Sequence, residues 1–170
     1  MNNDYTTKQY LMTHHPESFL LRNFKWIVFG HVSFPRTISQ SHNDGSRIRK
    51  FTGLMFALAI QSGIKPRKLV CFQNNELKPE SGYHHIHFLL GPENLEHCTT
   101  DEICAFLAQK AAEFEFGECA FSPYDSTKDG IGYVTKRVFI IGETGKRKEI
   151  QPEFFLSPAL RKLIQQKDSQ

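Results

Sequence analysis

The chain has 170 residues, 39% of them hydrophobic, and a formal net charge of +3, which suits one self-supporting core and excludes a disordered or fibrous chain. Its four cysteines, Cys71, Cys98, Cys104 and Cys119, form no C-x-x-C pair, so they read as reduced thiols of a cytoplasmic protein rather than a zinc knuckle or disulfide frame. The longest apolar run, Leu54 to Ile60, is too short to span a bilayer, and Met1-Asn2-Asn3-Asp4 starts no signal peptide, so no membrane partner is expected.

Lys25 to Phe34, rich in Val, Ile, Phe and Trp and closed by Pro35, reads as a strand. Arg36 to Ser46 reads as a loop, and Ser46 to Gln61 places Ile48, Phe51, Met55 and Leu58 at helical spacing before Gly63 and Pro66. Lys68 to Glu76 and Tyr83 to Leu90 form a hairpin around Lys78-Pro79-Glu80-Ser81-Gly82. Thr99-x-x-Glu102 is a capping box opening a helix expected to end near Gly117. Glu118 to Ser122 reads as a strand, Asp129 to Val138 as a short helix, Phe139 to Ile141 as a short strand, and Ser157-Pro158 opens a last helix. Interleaved hairpins and helices point to an α+β domain, an antiparallel sheet covered by helices, and with no repeat or linker residues 1–170 form one domain.

Charge is distributed unevenly. Residues 93–118 hold seven of the 18 acids and one of the 21 bases, leaving 20 bases against 11 acids elsewhere. Such a split fits a protein with one face toward phosphates, and equally an acidic solvated helix on an ordinary basic protein.

The sharpest chemical feature is Tyr83-His84-His85-Ile86-His87-Phe88. On a strand His85 and His87 share one face, ~7 Å apart, while Ile86 and Phe88 face the other way. Two such imidazoles converge on one metal ion when a neighbouring strand supplies a third ligand. A four-residue turn at 79–82 pairs Lys78 with Tyr83, which sets Glu76 opposite His85 and Asn74 opposite His87. Glu76 is therefore the expected third ligand; a turn one residue longer makes it Gln73. Taken alone, His-x-His is more often a polar strand face than a metal site. Tyr133 and Lys136 are three apart and share a helix face, but a phenol needs metal or cation assistance to attack. His31 and Ser33 on the first strand, with Arg137 and the Lys146-Arg147-Lys148 cluster, are candidate DNA-backbone contacts.

Trp26-x-x-Phe29-Gly30-x-x-Ser33-Phe34, His85-Ile86-His87 and Tyr133-x-x-Lys136, with Pro123-Tyr124-Asp125 and Gly130 ahead of the tyrosine, together resemble the ordered motifs of rolling-circle replication initiators of the HUH endonuclease superfamily. The resemblance spans roughly residues 24–140 and departs at His31, where the family usually carries a small hydroxyl residue. It implies a ferredoxin-like α+β fold with a central antiparallel sheet. It also implies a single-tyrosine endonuclease that nicks single-stranded DNA at an origin hairpin or loop, through a covalent 5′-phosphotyrosine, and religates it. Tyr133 would be the nucleophile and Lys136 its partner; His85, His87 and Glu76 (or Gln73) would hold Mn2+ or Mg2+. With no Gly-rich phosphate loop, no nucleotide cofactor is expected, and unwinding and synthesis would fall to a host helicase and polymerase. The alternatives are a transposase or relaxase on the same core, and an inactive nucleic-acid-binding module. A nucleotide hydrolase with a histidine triad is disfavoured because Leu89 stands where it needs histidine.

Overall fold

In chain order the elements are β1 (Gln9–His14), β2 (Val28–Ser33), α1 (Asp44–Gln61), β3 (Cys71–Lys78), β4 (Tyr83–Leu90), α2 (Thr100–Glu113), β5 (Cys119–Pro123), α3 (Gly130–Val134), β6 (Lys136–Ile141), β7 (Arg147–Ile150), β8 (Glu153–Leu156) and α4 (Pro158–Asp168). The computed structural model describes residues 9–14, 20–35, 44–78, 83–141, 145–150 and 153–168; at 9–14, 44, 77–78, 137–140, 147–150 and 168 it describes the backbone alone.

Along β2, residues alternate between buried and partly exposed, as a strand with two different faces requires. It pairs with β4 and β5, β4 with β3, and β3 with β8, all antiparallel, in the order β5-β2-β4-β3-β8. The run β2-α1-β3-β4-α2-β5 is thus the βαββαβ unit of a ferredoxin-like fold, with β2 and β4 central and β8 added at one edge. One face of the sheet, carrying Val28, Val32, Ile86, Phe88 and Leu90, packs on Phe51, Leu54 and Leu58 of α1 and Ile103 and Leu107 of α2. The other carries Phe72 and Leu89 against Ile131 and Val134 of α3 and Leu160 of α4. The acidic helix α2 therefore lies on the face opposite His85 and His87. No described helix is long and apolar enough to cross a membrane.

The structure adds β1, β7 and β8 to the expected elements and corrects two boundaries. Helix α2 begins as expected, with Thr99 and Glu102 forming the capping box, but it ends at Glu113 rather than near Gly117. Glu115, at φ 54°, takes the left-handed position usually given to glycine. Phe116 N–H then donates to Ala111 O and Glu115 N–H to Ala112 O, which closes the helix four residues early. The helix expected over 129–138 stops at Val134, and Lys136–Ile141 forms strand β6 between β1 and β7. Val138, Phe139, Ile140 and Ile141 suit a strand, and the ladder to Met12, Leu11, Tyr10 and Gln9 decides it.

Gly30 is required by packing. It lies opposite Phe88, and a Cβ built on it would sit 2.1 Å from the ring's Cζ. The ring cannot withdraw, because Phe88 is fully buried against Phe51 and Phe121. Gly30→Ala is expected to destabilise the protein by about 2–3 kcal/mol, read as a lower urea midpoint at constant slope. An unchanged midpoint would show that the ring moves freely.

Candidate active site

Strand parity and hairpin register build the centre of the site. Strand β3 pairs with β4 as Lys78↔Tyr83, Glu76↔His85 and Asn74↔His87, the register expected of a four-residue turn, although residues 79–82 themselves lie outside those described. His85 and His87 thus share a face with Glu76, whose Oε2 lies 3.5 Å from His85 Nε2 and 3.7 Å from His87 Nε2. Gln73, the alternative ligand, pairs with Phe88 and lines a groove with Phe51 and Met55 on the α1 side of the sheet. The even period of the strand turns it away from the histidines, so it is not a ligand. His84, one residue out of phase, feels Arg47; burial first, and then that cation, lower its pKa to about 4.

Burial, followed by the neighbouring His85, His31 and Lys136, lowers the pKa of His87 to about 2. His87 is therefore neutral, and its contact with Glu76 is not an ion pair. Among the described residues, Glu76 Oε2 and both ring nitrogens of His87 are buried without a hydrogen-bond partner. Buried polar atoms rarely stay unsatisfied; one ion could take Glu76 Oε2 and a single ring nitrogen of His87, the other nitrogen pointing away from it. Donors bound at about 2.1 Å to one ion stand roughly 3–3.5 Å apart, close to the Glu76–histidine separations. The residues present fit a divalent metal.

The remaining Glu76 oxygen, Oε1, lies 3.3 Å from Lys136 Nζ, in an ion pair that is largely buried on both sides. Lys136 comes from the start of β6, not from the tyrosine's helix. It nevertheless reaches Tyr133, with Nζ 4.0 Å from the ring centroid. The two residues meet because the chain turns from α3 directly into β6, so the expected pairing holds by a different route from helical spacing.

Helix α3 has five residues and is held in place at both ends. Asp129, left-handed at φ 45°, caps it by accepting from Gly132 N–H, and is bridged in turn by Arg22. Gly130 leaves room for Tyr124, whose ring would lie 2.9 Å from an added Cβ. At the other end, buried Asn74 Nδ2 donates to Val134 O at 3.0 Å, tying the helix to the strand beside His87. Ile131 and Val134 are buried beneath it, which turns Tyr133 outward to 48% exposure. The Tyr133 ring stands edge-on to His87, with centroids 4.9 Å apart, and packs on Phe29.

A cleft of about 720 Å³ opens beside the tyrosine, lined by Phe29, His31, His87, Tyr124, Asp125 and Tyr133, with Lys128 at its mouth. Phe29, Asp125 and Lys128 were not among the expected site residues, although Phe29 and Asp125 both lie within the motifs that carry the family resemblance. His31 itself, expected among the DNA contacts, lies in the histidine cluster, its ring centroid 4.9 Å from that of His87 and 5.3 Å from that of His85. Ser33 is on the same face, opposite His85. Lys146 is exposed, while the side chains of Arg137, Arg147 and Lys148 lie outside the described residues. Comparison with protein-family models, curated proteins and solved structures finds no match.

Proposed function

We propose that the chain is a metal-dependent nickase of single-stranded DNA in which Tyr133 is the nucleophile. One observation carries this reading. A half-exposed tyrosine stands edge-on to His87 at 4.9 Å, with the Lys136 ammonium 4.0 Å from its ring and the Glu76–histidine cluster behind. A tyrosine serving only the core would be covered, and a purely structural metal site would have no need of an outward-facing phenol beside it.

His85, His87 and Glu76 would hold a divalent ion such as Mn2+ or Mg2+. When bound, it supplies Lewis-acid polarisation of the scissile phosphate. The protein supplies the rest. Asn74 and Asp129 fix the helix that presents Tyr133, so the phenol meets the phosphate from a set direction. Tyr133 Oη forms a bond to phosphorus, the bond to the 3′ oxygen breaks, the phenol proton passes to solvent and the 3′ oxygen leaves as an alcohol. Lys136 stabilises negative charge growing on the phenol oxygen while balancing Glu76. The phosphate stays on the tyrosine, so religation is the same step reversed. Lys128 and Lys146 would add sequence-independent attraction to the strand.

The test is a randomised pool of single-stranded oligonucleotides incubated with the full chain and Mn2+, resolved under denaturing conditions. A covalent band whose nucleotide maps to the peptide bearing Tyr133 is expected. A pool that binds but yields no adduct would overturn the reading in favour of a binding module.

A further inference from the structure

His31 enters the cluster from β2, on the side of β4 away from Glu76. In the β2–β4 register it lies opposite His87, and Phe29, His31 and Ser33 share the face that carries the histidine pair. One donor nitrogen from each of His31, His85 and His87 lies within 4.8 Å of the other two. Glu76 approaches the same pair from β3 on the other flank. The pair is thus bracketed by an imidazole on one strand and a carboxylate on the other.

We infer that His31 is a metal donor, its imidazole completing with His85 and His87 a three-nitrogen site that selects transition ions such as Zn2+ over Mg2+. Imidazole suits zinc and its neighbours, whereas Mg2+ is held by oxygen ligands and gives up its water reluctantly. A site of His85, His87 and Glu76 alone has two nitrogens and one carboxylate and would discriminate less. The added nitrogen also changes how many positions remain for substrate. Three imidazole donors leave one position of a tetrahedral ion open, and three positions of a six-coordinate one. His31 therefore sets both which ion is taken and how much of its coordination the protein fills. The inference deepens the metal half of the proposed function and does not depend on cleavage.

The competing role for His31 is ring packing against His85 and His87, and substitution separates the two. His31→Phe keeps a ring in place and removes the nitrogen; His31→Leu removes both and serves as a second variant. Metal-free full-length protein is titrated calorimetrically with Zn2+ alone and Mg2+ alone, with thermal melts checking that each variant folds. Co2+ gives an independent readout, because its visible absorption is intense when four-coordinate and weak when six-coordinate. Both variants are expected to lose at least about tenfold in Zn2+ affinity, the lower end of what disturbing a ligand's surroundings costs. They should bind Mg2+ as the wild type does and give a weaker Co2+ spectrum. Unchanged Zn2+ affinity and an unchanged Co2+ spectrum in a folded variant overturn this inference and leave the nickase reading standing. Zinc binding that depends on His31 in a protein that forms no tyrosine adduct does the reverse.

Discussion

Tyr133→Phe is expected to reduce covalent adduct formation by about a thousandfold or more, the scale set by removing a nucleophile elsewhere, while single-strand affinity stays unchanged. The substitution removes one oxygen and keeps the ring that packs on His87 and Phe29. The informative control is Tyr124, which borders the same cleft. Its ring is wedged against Gly130, burial raises its pKa, and its hydroxyl meets the Ile131 backbone. Tyr124 therefore braces the helix, and Tyr124→Phe should retain the adduct. Survival of the adduct in Tyr133→Phe together with its loss in Tyr124→Phe would reverse the assignment.

His87→Ala is expected to lower adduct formation by at least about 100-fold, and a chelator should do the same to the wild type. The effect should fall on activity more than on folding. His87 is neutral in the folded protein, so its removal deletes no charge interaction. The Glu76–Lys136 pair remains to hold β3 against β6. Melting in chelator should therefore separate wild type and variant far less than cleavage does. Adduct formation by the wild type that is indifferent to chelator would remove the metal from the mechanism.

Much of this site was legible from period and turn length. A strand repeats every two residues, so His85 and His87 had to share a face. A four-residue turn then placed Glu76 beside them and excluded Gln73, and the observed pairing is that one. The capping box at Thr99 is equally local, a side chain and a backbone amide three residues apart. Where local signals failed, they were outweighed by contacts distant in sequence. Lys136 looked helical by its spacing from Tyr133, yet pairing with β1, more than 100 residues earlier, pulls it into β6. Gly117 looked like a helix stop, yet Glu115 accepts the left-handed turn.

The sequence by itself determined the α+β class, the helix starts at Thr99 and Pro158, the shared face of His85, His87 and Glu76, and the candidate nucleophile. Only the tertiary structure decided that His31 joins the histidines, that Lys136 reaches Glu76 and Tyr133 from a strand, and that Asn74 holds the end of α3. Parity puts His31 on a face but does not choose its neighbour. The neighbour follows from which strand lies beside β2 and in what register. That is settled by packing across the whole sheet, including the Phe88 ring closing over Gly30, because a slip of one residue would turn every apolar side chain of β2 out of the core.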